Sequence, residues 1–249
     1  MSRNFELMQE LGNRSTSQRI RPFDPIFIEG DKLSGSSIGE RLMDNETLRL
    51  VQRIFLTQGQ QPPRVVVFAG VNHSEGCSSV CASAAETLSR NVSGSVCLVE
   101  ANFRSPSLPA MFQTTNHNGL TNALLTDGPI RSFAKPMSSD QKLWLLSSGE
   151  LATDSANLLS SDRLKERVAE LRSQFDFVLI DAPPLSQYGD AIALGPLSDG
   201  VVLVLGAEST RRESAQMATD TLRTAQIPIL AAVLNNRSFP IPEKLYNLL

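Results

Sequence analysis

The residues with the most chemical content lie between Arg64 and Ser79, in the stretch RVVVFAGVNHSEGCSS. Val65, Val66 and Val67 read as a buried strand, and the residues after them are small or turn-forming. Val80, Cys81, Ala84, Ala85 and Leu88 then recur at helical spacing. Strand, tight loop and helix in that order is the local form of a phosphate-binding loop. In such a loop, backbone N–H groups at the helix start point at an anion, glycine lets the chain approach it, and a lysine neutralises the terminal phosphates. Gly76 and Ser78 stand where that chemistry needs them. Cys77 occupies the lysine position, and Ser74 a position where glycine is usual.

The elements that must position this loop are legible on either side of it. Residues 1–37 are polar and interrupted by Pro22, Pro25 and Gly30, with the IFI run at 26–28 as their only apolar feature, and they read as an arm or linker. Residues 38–249 read as one domain. Its first helix spans 38–56, with Leu48, Leu50, Val51, Ile54 and Phe55 on a buried face, and Pro62 and Pro63 stop it. Strands are expected at 96–99, 142–146, 177–180, 201–205 and 229–234. Helices are expected through Leu164, Val168 and Leu171, and through Ala215, Ala218, Leu222 and Ala225. Strands apolar on both faces that alternate with helices predict a doubly wound, mainly parallel sheet in three α/β/α layers. Polar groups at the carboxyl ends of its strands then converge on one crevice.

Composition narrows the function classes. With 249 residues, 41% of them hydrophobic, the chain can bury one substantial core. A net charge of −3 lacks the basic footprint of a nucleic-acid binder. No stretch approaches the ~18 apolar residues of a membrane span. Three cysteines, an odd count with no secretory signal before them, fit a reducing cytoplasm. Cys77 and Cys81 lie one helical turn apart near His73, yet further ligands at metal-binding spacing are missing, and Cys81 and Cys97 read as small buried apolar residues. His117 reads as a loop residue.

Taken together, these segments resemble the cytoplasmic ATPase domain of the bacterial protein-tyrosine kinases of capsule and exopolysaccharide synthesis, within the MinD/ParA-type group of P-loop ATPases. The resemblance runs from about Glu46 to Asn236. It is carried by the loop, VCLVEANFRSPSL from Val96, NGLTNALLTDG from Asn118, SANLLSSDRL from Ser155, FDFVLIDAPP from Phe175, DGVVLV from Asp199 and VLNN from Val233. It implies ATP and Mg²⁺ as cofactors, with Asn72, His73, Ser74, Glu75, Gly76, Cys77, Ser78, Ser79, Arg104 and Asn235 around the nucleotide. Ser78 and Asp181 would hold the metal, and Asp181, Glu100 and Asn102 are the candidate catalytic groups if the site is active.

The departures from the family pattern fall at the chemistry. Cys77 removes a positive charge, and Glu100 and Asn102 stand where the family has two aspartates. The family's tyrosine-rich tail is reduced to Tyr246, with Tyr188 the only other tyrosine. Its oligomerising helix pattern is half retained, with Glu46 and Arg49 matching while Gln52 and Arg53 break the third position, so homo-oligomerisation is left open. The expectation is a degenerate tyrosine-kinase-like domain. It would be a cytoplasmic regulatory or binding partner of a membrane-embedded chain-length determinant or polysaccharide export protein, reaching the membrane through that partner. Two alternatives are an active tyrosine autokinase that borrows a lysine such as Lys32 or Lys135, and a MinD/ParA-like positioning ATPase.

Overall fold

A computed structural model describes residues 26–27, 37–57, 61–150, 158–159 and 161–236. Lys32, Tyr246 and most of the expected arm lie outside them. The sheet has eight strands: β1 (Ile26–Phe27), β2 (Val65–Gly70), β3 (Val96–Glu100), β4 (Lys135–Pro136), β5 (Leu143–Leu146), β6 (Phe177–Ala182), β7 (Gly200–Gly206) and β8 (Ile229–Asn235). Their order is β1-β8-β7-β2-β6-β3-β5-β4. Every pairing is parallel except β4 with β5. The doubly wound parallel sheet predicted from the strand-helix alternation is therefore observed, with two short edge strands added. β4 carries Pro136, tolerable only at an edge. β1 falls within the segment expected as an arm and pairs with Val233 and Leu234.

Helices cover both faces because alternate strand residues point to opposite sides. Val66 and Phe68 pack with α1 (Ser37–Phe55) and α2 (Cys77–Asn91) through Leu50, Val51, Phe55, Cys81, Ala84 and Leu88. Val65, Val67 and Ala69 pack on the other face with α4 (Leu120–Leu125), α5 (Asp162–Gln174), α6 (Asp190–Leu194) and α7 (Arg212–Thr224). The four-residue α3 (Leu108–Met111) follows β3. α5 starts where its sequence says it should: the Ser161 hydroxyl accepts the Leu164 N–H.

Sheet order decides where the site lies. From the central β2 the chain winds one way to β3 and β5 and the other way to β7 and β8, with β6 inserted beside β2. The crevice of an open α/β sheet forms at such a reversal, outside the carboxyl ends of the strands. The β2–α2 loop sits there, and the ends of β3 and β6 are placed next to it by the register Glu100 with Asp181 and Phe68 with Asp181.

Candidate functional site: a phosphate-binding loop without its lysine

The loop opens where β2 ends. Val71 N–H donates to Val204 O at 3.0 Å, and Gly70 O accepts from Leu185 at 2.9 Å, which ties the loop to β7 and to the segment after β6. Ser74 and Gly76 both lie in the left-handed region, at φ 63° and 77°. At Gly76 any Cβ would stand 2.3 Å from the Asn235 amide nitrogen, so this glycine is required both for its φ and for space. Ser74 adopts the same backbone at a cost of ~1–2 kcal/mol, the structural form of a serine where glycine is usual.

Around the loop is a cavity of about 200 Å³, lined by residues 72–79 together with Gly70, Asn102, Ser105, Ser107, Met111, Ala182 and Pro184. That is smaller than the ~300 Å³ at which ordinary ligand pockets begin. Among the described residues, no lysine or arginine lines it. His73 and Ser79 are exposed at its mouth, and Asn102 faces it with its side-chain oxygen accepting the Ser105 N–H at 3.3 Å.

Asp181 lies under the first turn of α2, fully buried. Its Oδ2 accepts the Ser78 hydroxyl at 2.6 Å. Its Oδ1 is the only buried side-chain nitrogen or oxygen among the described residues without a partner. Burial pushes the Asp181 carboxyl up to about 7; the Ser78 hydroxyl and Cys77 thiol pull it down, and the nearby Glu100 adds to the rise. The Cys77 thiol is itself driven well above the usual thiol range, first by desolvation and then by Asp181. A helix N-terminus alone favours thiolate, but here burial, reinforced by the carboxyl beside it, outweighs that effect. Cys81 and Cys97 are fully buried, as their sequence setting suggested.

Glu100 is also fully buried but is turned to a different task. One oxygen accepts the N–H groups of Ser107 at 2.5 Å and Leu108 at 2.8 Å, and the other accepts Ser148 N–H at 3.3 Å. The extra methylene that distinguishes it from aspartate carries the carboxylate to the start of α3. Burial raises its pKa, opposed by those N–H groups. Arg104 does not line the cavity. It pairs with Asp190, and its guanidinium lies 4.0 Å from the centre of the Tyr188 ring. Asn235 sits beneath the loop and donates to the Glu75 carbonyl at 2.8 Å. Lys135 Nζ is bound to Thr115 O and Oγ1 at 2.8 and 2.6 Å, on an edge strand four places from β2, or roughly 19 Å across the sheet. It does not reach the loop.

Of the sequence candidates, residues 72–79, Asn102 and Asp181 are thus brought together. Glu100, Arg104 and Asn235 frame the site without facing it. Thr210, Ser148 and Asp190 complete the frame and were not foreseen; each is held to its partner by long-range contacts that no spacing rule marks.

No family model matches the chain. Among curated proteins, it is 34% identical over 142 residues to the tyrosine-protein kinase YwqD of Bacillus subtilis, covering 57% of this chain and 60% of that one. It is 32% identical over 149 residues to the tyrosine-protein kinase Wzc of Salmonella typhi, covering 60% of this chain and 20% of that one. This chain is a homologue of the bacterial tyrosine-protein kinases. The kinase homologue thus spans about three-fifths of YwqD and a fifth of Wzc. It is also 27% identical over 180 residues to the succinoglycan biosynthesis transport protein ExoP of Rhizobium meliloti, covering 69% of this chain and 22% of ExoP. Among solved structures, the BceF tyrosine kinase domain is similar at 25% identity and a TM-score of 0.67, covering 78% of this chain and 77% of that one. The chimerical protein CapA2B2 shares the fold at 19% identity and a TM-score of 0.76, over 87% of this chain and 96% of that one. So does MinD of Pyrococcus horikoshii, solved with Mg-ADP, at 20% and 0.59, over 73% and 75%. The kinase homologue carries the P-loop NTPase fold.

Proposed function

We propose that this kinase homologue works without nucleotide, as a cytoplasmic binding or regulatory component of polysaccharide synthesis and export. The observation that carries this reading is the cavity lining: among the described residues no lysine or arginine faces it, and Cys77 stands at the start of α2 where the phosphate-neutralising lysine would be. Burying a polyanion there would remove it from water with no countercharge, which is the expensive case.

The residues present fit a nucleotide poorly on a second count. Ser78 and Asp181 are adjacent, as a magnesium site requires, and Asp181 Oδ1 has no other partner. Yet the strand-end acid beside it, Glu100, is consumed as a cap for α3. Magnesium at P-loops is brought largely by the phosphates it bridges. When bound in active relatives, ATP supplies the phosphoryl group for transfer. Among the described residues no lysine or arginine lines the loop to neutralise that group, and no transfer step follows from the geometry.

The ExoP similarity supports the setting, a polysaccharide synthesis and transport system with a membrane-embedded chain-length determinant or export protein as partner. In this reading membrane contact goes through that partner; no helix among the described residues is long and apolar enough to cross a bilayer. Intact-mass measurement after incubation of the purified chain with Mg-ATP tests the reading. The mass stays unchanged; any added phosphate would overturn it.

A further inference from the structure

The cavity around the loop is edged by neutral hydrogen-bonding groups that nothing yet engages. Ser74, Ser79 and Ser105 are exposed at its edge, and Ser107 is half-buried in its wall. Among the described residues none of these four hydroxyls makes a hydrogen bond; Ser107 precedes α3 without capping it through its side chain. Asn102 uses only its side-chain oxygen, which accepts the Ser105 N–H, so its amide nitrogen has both protons to give. Ser78 donates its proton to Asp181 and keeps only lone pairs for a ligand. Met111, 45% exposed, and Pro184 supply an apolar flank.

We propose that this cavity takes a neutral polyhydroxy ligand, one sugar unit of a saccharide, in place of a nucleotide. A hydroxyl donates one hydrogen bond and accepts two, and each hydroxyl of a sugar does the same. Free serines and a side-chain amide therefore answer a sugar group for group. A polyphosphate offers acceptors alone and brings charge that wants cationic partners. Small-ligand sites set a few placed polar groups beside apolar surface, and here Met111 and Pro184 present that surface to the C–H face of a ring. Size agrees. At about 200 Å³ the cavity falls below the usual range for larger ligands, and being open along three serines it seats a single ring with one edge left in water. The inference rests on the nucleotide-independent reading and names the ligand class of that same site; the polysaccharide setting proposed above supplies such units.

Amide NMR on the isotope-labelled full chain tests it. D-glucose, D-galactose, D-mannose and N-acetyl-D-glucosamine are titrated separately, with UDP-glucose and Mg-ATP as charged comparisons. At least one neutral sugar shifts the amides of residues 72–79, Ser105 and Ser107 saturably, with the millimolar dissociation constant expected for a ligand of about a dozen non-hydrogen atoms. Ser107→Ala, whose hydroxyl has no partner to lose, keeps the parent's melting temperature and weakens the sugar about three- to tenfold, as does Asn102→Ala. An equal response to the L-enantiomer, indifference to both substitutions, or binding of UDP-glucose while every neutral sugar is silent would overturn the proposal. Silence of the sugars and of Mg-ATP alike overturns it and leaves the nucleotide-independent reading standing, whereas binding of Mg-ATP by the parent chain overturns both.

Discussion

At the amino ends of the strands, Asp199 is bridged at 3.0 Å by both terminal nitrogens of Arg172 and accepts the N–H groups of Arg64 and Val65. At the carboxyl ends, Glu75, Glu100 and Asp181 are buried, and among the described residues their hydrogen-bond donors are N–H and O–H groups with no arginine or lysine. Burial alone would raise Asp199, but Arg172 and the two N–H groups outweigh it and hold its carboxyl below the usual range. Burial with no guanidinium beside it pushes Asp181 up to about 7. Asp199 is thus answered by a base at one end of the sheet, while Glu75, Glu100 and Asp181 at the other have none among their described hydrogen-bond partners. The difference shows how an ion pair offsets the desolvation of a buried acid at Asp199, while at Asp181 desolvation prevails.

The contrast breaks most visibly at Glu100. Glu100→Ala leaves the N–H groups of Ser107, Leu108 and Ser148 without their acceptor, and each buried donor left unpaired costs ~1–3 kcal/mol. We expect a loss of about 3–5 kcal/mol in urea unfolding, and a smaller loss for Glu100→Gln. A Glu100→Ala protein within 1 kcal/mol of the parent would mean that the carboxylate is not the cap described above.

Asp181 gives the next largest effect, and its sign is opposite to that of an ordinary ion-paired acid. Its folded pKa, about 7, lies above the usual 3.8, so between those values the native state holds a proton that the unfolded chain has lost. Stability from this group is full below the unfolded value and is lost as pH rises through the folded one, at up to ~1.4 kcal/mol per unit. Measured from pH 4.5 to 8, the parent should lose stability relative to Asp181→Asn by a few kcal/mol. Parallel curves would show that the carboxyl titrates normally. Asp199 has the reverse sign, with stability lost as pH falls through its lowered pKa.

Ser74→Gly is the smallest change. Relief of the left-handed serine at φ 63° outweighs the added freedom of the unfolded chain by about 0.5 kcal/mol, a stabilisation visible in careful thermal melts. Destabilisation would mean that the serine side chain contributes more than its backbone costs.

The alternation of apolar strands and helices made the sheet readable, because burial on both faces leaves little choice of architecture. The loop, Ser78 and Asp181 were readable too, since each ends or begins an element and keeps its place in the chain. The exchange of roles was not. Nothing local in Val-Glu-Ala-Asn shows that Glu100 reaches the start of α3, or that Glu75 is answered by Thr210, 135 residues away. The short strands β1 and β4 were missed for a related reason: two residues have no period, and only the neighbouring strand makes them strands.

The central claim, that this loop does not take nucleotide, is tested most directly by the thermal response of the parent chain to millimolar Mg-ATP. A ligand at a hundred times its dissociation constant stabilises by ~2.7 kcal/mol, and one at its dissociation constant by only ~0.4 kcal/mol. For a chain of this size these correspond to roughly 5–10 °C and about 1 °C in melting temperature. The account predicts a shift of about 1 °C or less, unchanged by Asp181→Ala; a shift of several degrees that Asp181→Ala abolishes would contradict it.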